Sequence, residues 1–154
     1  MRIAVITGSG PWAGDPAVAA AVSQAWASQG HVAAVVARPP APVRPRRRLV
    51  PVPGRTALCL AGEDLAPDPL AERLAGADLA VGLFEVLEFR DGGGPELARL
   101  SDAAAAAAIP LVVLSSRLDV SARELRVLGV EAAYALDPAD SAVVLERLAR
   151  TWSW

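Results

Sequence analysis

The sequence predicts an α/β fold: a single three-layer Rossmann-like domain, residues 1–154, with a mostly parallel sheet of about six strands. Three observations lead there. Short runs rich in Val, Ile and Leu recur along the chain, and they are apolar throughout rather than alternating, as strands covered on both faces must be. Longer Ala- and Leu-rich segments with helical spacing separate them. Glycine, proline and aspartate punctuate the joins.

Taken in order, strands are expected at "RIAVIT" (Arg2 to Thr7), "HVAAVVA" (His31 to Ala37), "TALCLA" (Thr56 to Ala61), "DLAVGLF" (Asp78 to Phe84), "PLVVLSS" (Pro110 to Ser116) and "AAYAL" (Ala132 to Leu136). Helices are expected over Asp15 to Ser28, Leu65 to Leu74, Pro95 to Ala107, Val120 to Leu128 and Pro138 to Thr151. Asp15 before Pro16 is an N-cap followed by proline at the first helical position, and Gly30, Gly76 and Gly129 fall where helices should stop. The stretch from Arg38 to Arg55 breaks the rhythm, because its prolines forbid a helix and favour an extended connector. Arg44, Arg46, Arg47 and Arg48 make that connector densely positive, either as a solvated loop or as an anion-binding arm.

A chain of 154 residues buries enough surface to need neither disulfide nor metal. Its 53% hydrophobic and 21% charged residues are a globular balance, and a net charge of −2 argues against general nucleic-acid affinity. No apolar run reaches the ~20 residues of a membrane span, and a strand begins directly after Met1 and Arg2, so a cytoplasmic protein without signal peptide or membrane partner is expected. Cys59, the single cysteine, lies in an apolar run and reads as an inert buried thiol. All 15 basic residues are arginine. That usage, with abundant Ala, Pro and Gly, is associated with GC-rich bacterial genomes. It also removes any lysine phosphate clamp or Schiff base.

Open parallel sheets bind ligands at the carboxyl ends of their strands. After the first strand, "TGSGPWAGDP" has glycines suited to a tight turn into a helix, but its spacing is neither G-x-G-x-x-G nor that of a P-loop, so no nucleotide cofactor is called for. Trp12 in that turn either covers a ligand or caps the core. The strand ending at Phe84 runs into Glu85, Glu88, Arg90 and Asp91, and the one after it into Ser115, Ser116, Arg117 and Asp119. If those strands are neighbours, the two ends share a crevice. Burial at an apolar strand end suits Glu85 and Glu88 to proton transfer; the alternative is a pair of surface carboxylates bound to Arg90 or Arg117. His31 stands at the opposite edge, which leaves Ser-His and Cys-His systems without a base; zinc has no ligand set either, while a carboxylate-bound magnesium stays open. Trp152 and Trp154 in the tail should pack on a neighbour, in the same subunit or in a second copy.

Several stretches together resemble a family. "LAGADLAVGLFEVLEF", "AIPLVVLSSR" and "LRVLGVEAAYALDP" are similar to the last third of bacterial glycerate kinases, which read "ADLVITGEGRLD", then "GK", then "VPVVALAG". "MRIAVITGSGPWAGDPAVAAAVSQAW" resembles that family's opening, a strand running into "APDSFKG" and a helix. The likeness is collinear and covers Met1 to about Val36 and Leu74 to Leu136. The family's inserted second domain has no counterpart here. Carried over by position, the family's Asp-Ser-Phe-Lys falls on Gly8, Ser9, Gly10 and Pro11, so only the serine remains. Its Gly-Glu-Gly-Arg-Leu-Asp falls on Leu83, Phe84, Glu85, Val86, Leu87 and Glu88, its Gly-Lys on Gly94 and Pro95, and its alanine-glycine on Ser115 and Ser116.

The resemblance therefore implies a base domain that has lost the cationic and metal-holding groups of phosphoryl transfer. The expected use is a repurposed, non-kinase enzyme working on a small or medium organic molecule by carboxylate acid-base chemistry. Glu85 and Glu88 would carry protons, Arg90 and Arg117 would hold an oxygen, and Ser9, Trp12, Phe84, Ser115 and Ser116 would line the pocket, with no metal. Phe84 in place of a glutamate favours a larger, more apolar ligand. The competing expectations are a non-catalytic pseudokinase that binds or assembles, with a homodimer through Trp152 and Trp154, and a residual ATP-dependent phosphotransferase acting on a hydroxy acid.

Overall fold

A computed structural model describes residues 1–37, 68–88, 94–137 and 141–154. Its elements follow the expected alternation: β1 (Arg2–Ile6), α1 (Pro16–Ala27), β2 (Val32–Val36), α2 (Pro69–Leu74), β3 (Leu79–Glu88), α3 (Gly94–Ala106), β4 (Leu111–Asp119), α4 (Ala122–Val127), β5 (Ala132–Ala135) and α5 (Ser141–Thr151). The strands form one parallel sheet in the order β2-β1-β3-β4-β5. This is an α/β Rossmann-like three-layer domain. Five strands lie among the described residues. The strand expected at Thr56 to Ala61, Cys59 with it, and the proline-arginine connector lie outside them.

Local chemistry accounts for the helix boundaries. Asp15 caps α1, its Oδ1 accepting from Ala17 N–H at 2.8 Å with Pro16 at the first helical position. Asp68 does the same for α2, accepting from Leu70 N–H at 2.9 Å ahead of Pro69. Ser121 and Glu124 form a reciprocal capping box at the start of α4.

The strands divide their side chains between two cores. Ile3, Val5, Leu79, Val81, Leu83, Val112 and Leu114 meet Val22 and Trp26 of α1 and Leu145 and Leu148 of α5 on one face. Ala4, Ile6, Ala80, Phe84, Leu111 and Val113 meet Leu70 and Leu74 of α2 and Leu97 and Leu100 of α3 on the other. Every strand of the centre is thus apolar on both faces, which is why the sequence shows continuous runs. Gly82 completes this packing: a Cβ there would lie 2.6 Å from Leu100 Cδ2 and 2.9 Å from Phe84 Cε2.

The structure differs from the sequence reading in the length of β3 and β4. Both continue past the expected ends, pairing Val86 with Arg117, Leu87 with Leu118 and Glu88 with Asp119. The reason is visible in the faces. Phe84 and Leu87, three residues apart, both pack on the α2–α3 side, as does Leu118. A strict period of two would send Phe84 and Leu87 to opposite faces. The alternation slips at Glu85 and Ser116, and there the Ser116 hydroxyl donates to the Glu85 carbonyl. The slip turns one more pair of leucines toward the core and extends the sheet beneath its charged rim. No helix among the described residues is long and apolar enough to cross a membrane.

Candidate functional site

In the order 2-1-3-4-5, the crossovers from β1 and from β3 leave in opposite directions along the sheet, so a crevice opens between the carboxyl ends of β1 and β3. The turn from Thr7 to Asp15 forms one wall. Gly8 N–H donates to the Ala13 carbonyl at 2.9 Å, Gly14 N–H to the Gly10 carbonyl at 3.0 Å, and Asp15 N–H to the Trp12 carbonyl at 3.1 Å. Gly8 lets this turn lie on β3, because a side chain there would collide with the Leu83 carbonyl. Ala13 is fully buried and the Trp12 ring packs against the α1–α5 core, so the turn is anchored from beneath.

Glu85 fills the space between turn and sheet. Its Oε2 accepts from Trp12 N–H at 2.9 Å and from Ala13 N–H at 3.2 Å. Gly10 faces the same oxygen with φ +115°. Two backbone amides aimed at one oxygen from a glycine-rich turn make an anion cradle, and here the anion is the protein's own carboxylate.

The remaining sequence-predicted residues are distributed around this contact. Glu88 and Asp119 both bind Arg117, through Nη2 at 2.7 Å and Nε at 2.8 Å, on the exposed tips of β3 and β4. Ser9 donates to Glu96 at the start of α3, at 3.2 and 3.3 Å to its two oxygens. Ser116 binds the Glu85 carbonyl. Phe84 is part of the α2–α3 core. Ser115, opposite Phe84, is fully buried, and its hydroxyl has no hydrogen-bond partner among the described residues. Arg90 and Asp91 lie outside the described residues.

The β3 and β4 ends are neighbours, as the sequence suggested, but they meet as paired strands. Among the described residues no hydrogen bond joins Glu85, Glu88 and Ser115 to one another: Glu85 turns to the β1–α1 turn, Glu88 to Arg117, and Ser115 into the interior. Sequence reasoning missed the bond between Glu85 and the turn, and it missed Glu96 as the partner of Ser9. The glycines of "TGSGPWAG" were the available signal, since a turn with little side-chain bulk is one that another group can enter closely.

Charge at this rim is mostly negative among the described residues, with Asp15, Glu85, Glu88, Glu96 and Asp119 set against Arg117. No three of His, Cys, Asp and Glu come together there as a metal-ligand set among the described residues. His31 stands just before β2, at the end of the sheet away from this rim, with its Nε2 buried and without a hydrogen-bond partner among the described residues. In the tail, Trp152 packs on the α1–α5 core and its Nε1 donates to the Tyr134 hydroxyl at 3.3 Å. Trp154 lies against it with ring centroids 5.7 Å apart, and remains 69% exposed.

No protein-family model matches the chain, and no curated protein matches it either.

Proposed function

We propose that this chain is a glycerate-kinase-like base domain that transfers no phosphate and acts as a non-catalytic binding and assembly partner. The observation that carries this is the Glu85 carboxylate in the amides of Trp12 and Ala13, at the switch point where open parallel sheets receive phosphate groups. A nucleotide phosphate entering there would have to expel a carboxylate already bound. It would then stand on a rim whose described side chains are mainly acidic. ATP with magnesium finds little to hold it at these residues: the chain has no lysine, and Glu85, Glu88 and Asp119 are already engaged by backbone amides or by Arg117.

Acid-base catalysis is less well supported for a related reason. Glu85 and Glu88, the carboxylates the sequence singles out for it, each already have a partner, the first in the amide cradle and the second in Arg117. For assembly, the tail supplies the surface. Trp154 is exposed and braced by Trp152, an arrangement suited to burial against a second copy of the chain.

Thermal unfolding with and without millimolar ATP and magnesium tests the non-kinase assignment. An unchanged midpoint is expected, whereas a nucleotide present at about 100 times its Kd would add about 2.7 kcal/mol and overturn it. Sedimentation of the wild type and of W154S tests the assembly: a wild type that stays monomeric at high concentration removes the tail from this role.

A further inference from the structure

We propose that Glu85 is a tethered ligand of an oxyanion site, and that the β1–α1 turn will take a free carboxylate or phosphate oxygen once this side chain is withdrawn. The inference rests on the switch-point reading above and extends it, because it gives the turn a binding capacity independent of the residue that now occupies it.

Four features support it. The carboxylate comes from another strand, more than seventy residues away in sequence from the amides it meets, so it is a long-range occupant rather than a local cap. The helix behind the turn does not need it, since Asp15 already caps α1 through Ala17 N–H. The turn is shaped by its own bonds, Gly8 to Ala13, Gly14 to Gly10 and Asp15 to Trp12, none of which involves Glu85. Gly10 leaves the oxygen's position clear, for a Cβ there would lie 2.7 Å from Oε2. Removal of the carboxylate thus leaves two amides still aimed at one point, with a vacancy the size of an oxyanion oxygen. Part-buried donors in that position favour any acceptor that can reach them.

The wild type resists such exchange through tethering. A side chain held beside its amides acts at an effective concentration of the order of millimolar or higher, and it competes with every free anion. Glutamine at position 85 keeps the shape and an acceptor oxygen but loses the charge, so it should compete less well.

The probes are sodium acetate and inorganic phosphate, each compared with sodium chloride at matched ionic strength. They are followed by the backbone amide resonances of Trp12 and Ala13 and by thermal unfolding. In E85A, saturable shifts confined to those two amides are expected, with a rise in Tm of about 2–4 °C for each kcal/mol of binding. E85Q should respond less and the wild type least. A folded E85A whose two amides answer acetate and phosphate no more than chloride overturns the proposal, as does a wild type that responds as strongly. If E85A does not fold, E85Q decides: a response equal to the wild type's overturns the proposal, and a larger one supports it. These outcomes are separate from the ATP experiment on the wild type, so the tethered-ligand proposal and the non-kinase reading can fail independently.

Discussion

Gly10 has its missing side chain where Glu85 has its carboxylate: a Cβ on the glycine would stand 2.7 Å from Oε2 and 3.2 Å from the glutamate's own Cβ. The glycine also holds φ at +115°, a region L-residues rarely adopt. Backbone and side chain therefore object to the same substitution for different reasons. G10A should cost about 2–3 kcal/mol in urea unfolding, combining conformational strain with the clash. In an E85A background the clash with the carboxylate goes, while the strain and the 3.2 Å contact with the Cβ at position 85 stay, so the cost should fall by about 1 kcal/mol. Equal costs in the two backgrounds would show that the glycine and the carboxylate do not share this space.

A second long-range carboxylate contact ties the α2–α3 layer together. Asp68 caps α2 and also receives Arg99 of α3, Nε to Oδ2 at 2.5 Å and Nη2 to Oδ1 at 2.6 Å, with the two side chains only 27% and 15% exposed. Fork geometry with partial burial places this pair above ordinary surface ion pairs. D68N retains an acceptor for Leu70 N–H and should lose about 1 kcal/mol, whereas D68A forfeits cap and bridge together and should lose about 2 kcal/mol. Chemical denaturation of both variants checks the order, and equal losses would mean that the cap contributes nothing.

The same aspartate predicts a direction for acid unfolding. The Arg99 hydrogen bond, helped by Leu70 N–H and opposed by desolvation, holds the Asp68 carboxyl below its ordinary value of 3.8. A carboxylate lowered by folding contributes stability that is whole above its unfolded value and is lost as pH falls through the folded one. Glu124 in the α4 capping box is lowered too, chiefly by the Ser121 amide, from an ordinary 4.5, and so acts with the same sign. The stability gap between wild type and D68N should therefore be constant above about pH 5 and close progressively below about pH 4. A gap that widens on acidification would contradict the assignment.

How far the sequence discloses this architecture varies with the kind of signal. The apolar runs of β1, β3 and β4 and the Asp-Pro start of α1 were legible because burial on both faces and N-capping each impose a local residue pattern. The ends of β3 and β4 were not. Glu85 and Ser116 look like the edge of a strand, and only the slip in alternation, visible in three dimensions, returns Leu87 and Leu118 to the core. At the candidate site, the carboxylate-rich strand ends were legible and their connections were not. A contact such as Glu85 to Trp12 depends on which strands the crossovers bring together. Strand order is a property of the whole chain.

Ser115 and Ser116, adjacent in sequence and both read as pocket residues, should respond to alanine with opposite sign. The Ser115 hydroxyl is fully buried and has no partner among the described residues, so the folded state bears a desolvation cost for it with no bond in return. S115A removes that cost at the expense of one small atom's packing, and should be neutral or stabilising by up to about 1 kcal/mol. Ser116 is exposed but donates to the Glu85 carbonyl where the two strands slip. S116A gives up that bond at the point of irregularity and should cost about 0.5–1.5 kcal/mol. The pair can be measured in one set of urea titrations. A destabilised S115A would mean that its hydroxyl has a bonding partner in solution, and would restore Ser115 as a residue of the site.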